Sequence, residues 1–209
     1  MSEPSVYIID DDPSVRTGLS RIVKAAGINA ESFESAGEFL ISDKCNEHGC
    51  IILDVHMPEM TGPELQEKLI EAGCDMPIIF LSAHSDVPTT AKTMKKGAVD
   101  FLEKPVDQED LLAAIHISLE QDLETRAKRT EYDSILELIK TLTPREHEVM
   151  TYVITGMLNK QIAAEMDISE ETVKIHRGRV MQKLDIVSVA ELVRICERAG
   201  VEPAKSKNR

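Results

Sequence analysis

Four short apolar runs and one short mixed strand, each followed by a segment of helical periodicity, constrain this chain most. They cover residues 6–9, 30–33, 51–53, 78–81 and 99–102. After the first run, Val15, Leu19, Ile22, Val23 and Ala26 recur at the spacing of one helix face. The runs at 6–9, 51–53 and 78–81 are continuously apolar, which is the mark of strands buried on both faces. A strand-then-helix unit repeated five times predicts an α/β fold, a doubly wound five-stranded parallel sheet. The punctuation agrees. Asp12 before Pro13 reads as an N-cap with proline at the first helical position. Gly27, Gly73 and Gly97 stand where helices would stop. Further helices are expected over 35–42, 62–72 and 89–96.

Polar residues stand where these runs end: Asp10 and Asp11, Asp54, Ser82, and Lys104. In an open parallel sheet the strand C-termini meet at one edge, where ligands bind. Residues far apart in sequence are therefore expected in one acidic pocket with one cation. A carboxylate oxygen of Asp54 can attack phosphorus and form an acyl phosphate. Asp10 and Asp11 offer hard oxygen ligands to Mg²⁺, which Mn²⁺ can replace. Lys104 supplies a point charge for phosphoryl oxygens, and Ser82 a hydroxyl donor. Three acids this close would repel one another, so the pocket makes sense with a cation bound.

The formal charge of the 209 residues is −13, but it is uneven. Residues 1–141 carry 13 Lys+Arg against 27 Asp+Glu, and residues 142–209 carry 11 against 10. Such asymmetry points to two domains with separate partners. A second part so nearly neutral predicts weak non-specific DNA affinity unless it dimerises. Cys45, Cys50, Cys74 and Cys196 form no Cys-x-x-Cys. Cys45, His48 and Cys50 could suggest zinc, but a fourth ligand is lacking nearby, and reduced thiols are the better reading. There is no signal-peptide pattern and no apolar run of membrane-spanning length, so a cytoplasmic protein with no membrane partner is expected.

Between Pro105 and Pro144 there is neither Gly nor Pro. One long helix running into a linker fits this stretch as well as a helix, a polar loop and a second short helix. From 142 onward the pattern is all helical. Thr143, Pro144 and Glu146 spell a capping box with proline inside it. Asn159 opens a second helix. A tight turn at Asp167 and Ile168 leads to Ser169, the N-cap of a third helix reaching about Leu184. Ser188 caps a fourth. A short helix, a tight turn and a longer Lys/Arg-bearing helix is a helix-turn-helix pattern. The expected division is 1–120, a linker at 121–141, a small all-α domain at 142–200 and a flexible tail at 201–209.

Residues 4–120 resemble the receiver domain of two-component response regulators, a flavodoxin-like fold. The resemblance rests on Ile-Asp-Asp-Asp at 9–12, Leu-Asp-Val-His-Met-Pro at 53–58, Ser82-Ala83, Gly97-Ala98 and Lys104-Pro105. It implies phosphorylation of Asp54 by a sensor histidine kinase. It further implies Mg²⁺ on Asp10, Asp11, Asp54 and the His56 backbone carbonyl. Ser82 and Lys104 would grip the phosphoryl group, Phe101 would be the aromatic switch, and the Lys104–Pro105 bond would be cis. The side chains two beyond Asp54 and Ser82 would tune phosphoryl lifetime. These are His56 and His84, either facing the phosphoryl group or simply exposed.

Residues 142–199 resemble the helix-turn-helix domain of the LuxR/FixJ/NarL group. The carriers are Leu-Thr-Pro-Arg-Glu at 142–146, Asn-Lys-Gln-Ile-Ala at 159–163 and Thr-Val-Lys-Ile-His at 172–176. The resemblance implies double-stranded DNA as partner and a third helix in the major groove. Lys174 and Ile175 would face bases. Arg177 and Arg179 lie on the same helix, and Thr172, His176 and Lys183 are candidate phosphate contacts. Gly178 stands where relatives often carry a larger side chain, and Val187 and Val189 replace common arginines. The expectation is a response regulator transcription factor that dimerises when phosphorylated. It is not an enzyme beyond its own phosphorylation and dephosphorylation. A phosphatase using Asp54 would need a second acid two residues on, where His56 stands. The alternative is a phosphorylation-independent DNA-binding regulator with a vestigial receiver, and the complete pocket set argues against it.

Overall fold

The structure, a computed structural model, describes residues 3–83 and 87–205. The chain divides into two compact units, residues 1–126 and 127–209. In the first, strands β1 (Ser5–Ile9), β2 (Asn29–Phe33), β3 (Gly49–Asp54), β4 (Ile78–Ser82) and β5 (Asp100–Glu103) are joined through helices. The helices are α1 (Pro13–Ala25), α2 (Ala36–Ile41), α3 (Gly62–Glu71) and α4 (Val87–Lys95). A 3₁₀ turn at Lys44–Asn46, not expected from the sequence, precedes β3. The sheet is all parallel in the order β2-β1-β3-β4-β5. The strand order reverses at β1 and β3, which opens a crevice at their C-terminal ends.

Both faces of the sheet are packed, as the continuous apolar runs require. Tyr7, Ile9, Ile51, Leu53, Ile78 and Phe80 face one core. Their alternates Val6, Ile8, Cys50, Ile52, Ile79 and Leu81 face the other. β2 is the weak run because it lies at the sheet edge and buries only Phe33 fully. Asp12 caps α1, its carboxylate accepting from the Ser14 N–H at 2.7 Å.

The stretch without Gly or Pro forms one 33-residue helix, α5 (Gln108–Lys140). Near its middle, Asp122 is buried and its Oδ2 holds three partners. These are the Gly49 N–H at 2.9 Å, His48 Nδ1 at 2.6 Å and Arg126 Nε at 2.7 Å. Gly49 has to be glycine, since a Cβ there would stand 2.1 Å from the Ser5 carbonyl oxygen.

The second unit takes the last turns of α5 with α6 (Pro144–Val153), α7 (Asn159–Met166), α8 (Glu170–Lys183) and α9 (Val189–Arg198). Ile135, Ile139, Val149, Met150, Ile162, Val173, Val180 and Leu192 build its core. The capping box is formed: Glu146 accepts from the Thr143 N–H at 2.8 Å, and the Thr143 hydroxyl accepts from the Glu146 N–H. Asp167 adopts the left-handed conformation at the end of α7 (φ 53°), which makes the turn tight. One expectation is corrected: residues 201–205 are not a loose tail. Val201 and Ala204 pack on this core, and the Ala204 N–H donates to the Thr151 carbonyl at 3.0 Å. Apolar side chains at both positions give the segment something to bury. Among the described residues no helix is long and apolar enough to cross a membrane.

Candidate functional site

The crevice holds the expected pocket. Asp10 follows β1 and Asp54 ends β3; both are buried, and Lys104 reaches between them from beyond β5. Lys104 Nζ lies 2.6 Å from Asp10 Oδ2 and 2.5 Å from Asp54 Oδ1. The second oxygen of each carboxylate is bound to backbone. Asp54 Oδ2 accepts from the His56 N–H at 2.8 Å, and Asp10 Oδ1 from the Asp12 N–H at 2.9 Å. Burial pushes the Asp10 carboxyl above its usual range, although its bond to Lys104 opposes this. Burial works against the Lys104 ammonium, and its bonds to Asp10 and Asp54 more than reverse that, raising it.

Ser82 is fully buried at the end of β4, and its carbonyl accepts from the Lys104 N–H at 2.8 Å. The Lys104–Pro105 bond is cis. Phe101 is half-buried and stacks on Phe80, ring centroids 6.2 Å apart. Asp11 stays exposed, as does His56; His84 lies outside the described residues.

Two supports of this pocket carried no sequence signal. Arg16 Nη1 donates to the Asp10 carbonyl at 2.6 Å and pins the start of α1 to the end of β1. Gly62 lets α3 approach β3, because a Cβ there would stand 2.3 Å from the Asp54 carbonyl oxygen.

The donor set bears on a divalent ion. Two carboxylate oxygens converge on one cation position, now held by the ammonium group. Mg²⁺ takes one or two carboxylates and completes its shell with water, so Asp10 and Asp54 fit it. Among the described residues no three His, Cys, Asp or Glu side chains are grouped to hold a metal. Of the residues considered for zinc, Cys50 is buried in a core and His48 is bound to Asp122.

In the second unit α8 presents Lys174, Ile175, Gly178 and Arg179 on an exposed face. Gly178 is surrounded by open space. The other expected contacts are engaged or turned inward. Arg177 donates to Asn159 Oδ1 at 3.0 Å, and the Thr172 hydroxyl bonds Ser169 at 2.7 Å as part of the α8 cap. His176 has a buried Nδ1 without a protein partner. Lys183 is tied to Glu146 at 2.6 Å and to the Thr141 carbonyl at 2.9 Å. That bond to Lys183 does most to pull the Glu146 carboxyl down to about 2. Val187 is almost fully exposed after α8.

Comparison with known proteins agrees on both halves. Residues 6–116 match the response regulator receiver domain, and residues 140–196 match the bacterial regulatory proteins of the luxR family. The chain is 44% identical to the response regulator protein TodT of Pseudomonas putida over 193 residues, covering 92% of this chain and 85% of TodT. Among solved structures, the response regulator StyR is 44% identical with a TM-score of 0.83, covering 94% of this chain and all of StyR. Full-length FixJ from B. japonicum is 36% identical with a TM-score of 0.58, over 96% and 98% of the two chains. A receiver pocket at the sheet edge, a helix-turn-helix unit following it in sequence and relatives matching over nearly the whole length lead to one conclusion: this chain belongs to the FixJ/LuxR-type response regulator transcription factors.

Proposed function

We propose that Asp54 is the phosphoryl acceptor and that its phosphorylation by a sensor histidine kinase controls dimerisation and sequence-specific DNA binding. The observation that carries this is Lys104 Nζ held between Asp10 and Asp54. A carboxylate oxygen of Asp54 attacks the phosphorus, the bond to the kinase imidazole breaks, and an acyl phosphate forms. Phosphoryl transfer depends mainly on positioning and charge neutralisation. Lys104 neutralises phosphoryl oxygens, and the Ser82 hydroxyl donates to one of them. Mg²⁺ on Asp10 and Asp54, with Asp11 and the His56 carbonyl available, would supply the remaining positive charge. Phe101 is the aromatic group that responds when Ser82 moves. Once the phosphoryl group draws Lys104 off Asp10, the pocket has two alternative charge arrangements, as a two-state switch requires.

The receiver function falls to residues 1–120, DNA reading to 142–200, and 121–141 link them, in a protein acting in the cytoplasm. Lys174 and Ile175 face bases, with Arg179 beside them, and Arg177, Thr172, His176 and Lys183 are secondary contacts. The test is light scattering and DNA binding in Mg²⁺, with and without beryllofluoride, using Asp54→Ala as control. Larger mass and tighter DNA binding, absent from Asp54→Ala, are expected. If neither property responds in the wild type, the receiver does not govern the DNA-binding unit by this route.

A further inference from the structure

We infer that Cys45 and Cys74 are a dithiol–disulfide couple, a redox-modification site at the edge of the sheet opposite the phosphoryl pocket. Cys45 lies in the 3₁₀ turn before β3 and Cys74 in the turn before β4. β3 and β4 are neighbouring parallel strands, so these two approaches run side by side. Cys74 Sγ lies 3.9 Å from the Cys45 carbonyl oxygen, and both cysteines pack against the same core. Both side chains are half-buried, within reach of a small oxidant.

The environment makes the pair unequal. The hydrogen bond from Cys45 lowers the Cys74 thiol, and the Arg126 guanidinium adds to this. The same bond, together with burial, raises the Cys45 thiol. Cys74 is therefore the attacking sulfur, because the thiolate is the reactive form. The oxidant class is a hydroperoxide. The Cys74 thiolate attacks one oxygen of hydrogen peroxide, the O–O bond breaks, and the departing hydroxide takes up a proton to become water. Cys74 is left as a sulfenic acid. The Cys45 sulfur then attacks the Cys74 sulfur. The S–O bond breaks, hydroxide leaves and takes the Cys45 proton, and a disulfide and a second water result. Overall two thiols are oxidised and one peroxide is reduced to two waters.

Cys50 and Cys196 act as internal controls. Both are fully buried, and burial pushes their thiols up to about 12 and about 11. The couple also sits where α5 is held. Arg126 donates to the Asn46 carbonyl at 2.7 Å and to the Glu47 carbonyl, directly after Cys45. A disulfide would tie this turn, and the grip on α5, to the start of β4.

The full chain is treated with hydrogen peroxide and digested without reductant. The expected product is a Cys45–Cys74 linked peptide, lighter by two hydrogens and released by dithiothreitol, with Cys50 and Cys196 still free. In Cys45→Ala, dimedone should label Cys74 as a sulfenic acid. Alkylation of Cys74 by iodoacetamide at neutral pH should also slow by roughly threefold or more. Both cysteines staying free while added glutathione oxidises would overturn the couple. So would a disulfide to Cys50 or Cys196, or a Cys74 alkylation rate unchanged in Cys45→Ala.

Discussion

Asp10 shows the tension within the pocket most directly. It is almost fully buried, and burial raises its carboxyl above the ordinary value of 3.8. A folded pKa above the unfolded one favours the native state while the group is neutral. That contribution is complete below the unfolded value and is lost as pH rises through the folded one. Ionising Asp10 therefore works against the fold. Asp10→Asn should raise the melting temperature of the first unit at pH 7 by a few degrees, the response to about 1 kcal/mol. Mg²⁺ should stabilise the wild type, and this response should vanish in the variant. A variant less stable than the wild type at pH 7 would mean that the bond to Lys104 outweighs the burial cost. The pocket was legible because each member stands at or beside the end of an apolar run, and parallel topology gathers such ends at one edge. Arg16, Gly62 and Asp122 were not legible. Their roles depend on single long-range approaches, such as Gly62 against the Asp54 carbonyl, and no periodicity announces these.

At the scale of elements, α6 and α8 are joined by one buried carboxylate. Glu146 closes the capping box of α6 and takes the Lys183 ammonium from the end of α8. The sequence announced the cap, because Thr143 and Glu146 have the spacing of a local motif. It did not announce the ion pair to Lys183, which joins positions 37 residues apart. Local signals also explain why α5 stayed ambiguous. The apolar spacing lapses across the charged stretch 124–129, where Arg126 instead anchors the helix to Asn46 and Glu47. Since the Glu146 pKa falls to about 2, its stabilisation is present above the ordinary 4.5 and lost as pH falls through the folded value. Glu146→Gln keeps the capping acceptor but loses the charge facing Lys183, and should destabilise the helices of 144–198 by about 1–2 kcal/mol at neutral pH, the size of a charged hydrogen bond. Amide exchange of those helices should show the wild type losing protection between pH 4.5 and 2 with a slope that the variant lacks. Equal slopes would remove Glu146 as the group that titrates.

For the whole molecule the uneven charge sets the terms of DNA binding. Residues 142–209 are nearly neutral, and the exposed face of α8 offers Lys174 and Arg179 as its basic side chains. Each phosphate neutralised steepens the fall of affinity with salt by roughly one unit of log–log slope. One copy with so few cations binds weakly, and the acidic first 141 residues oppose approach to DNA. Two linked copies would contact two half-sites, and the second contact forms at an effective concentration that raises affinity by about 10²–10⁴. With beryllofluoride and Mg²⁺, the protein should therefore bind a duplex with two half-sites far more tightly than one with a single half-site, and with about twice the salt slope. Without the mimic, or in Asp54→Ala, the two duplexes should bind alike. Under the proposed assignment of Lys174 to a base-facing position, Lys174→Ala should weaken both and lessen discrimination between sequences. Equal affinities and equal slopes for the two duplexes under beryllofluoride would mean that the protein reads DNA as single copies. The near-neutral second unit would then need another source of affinity.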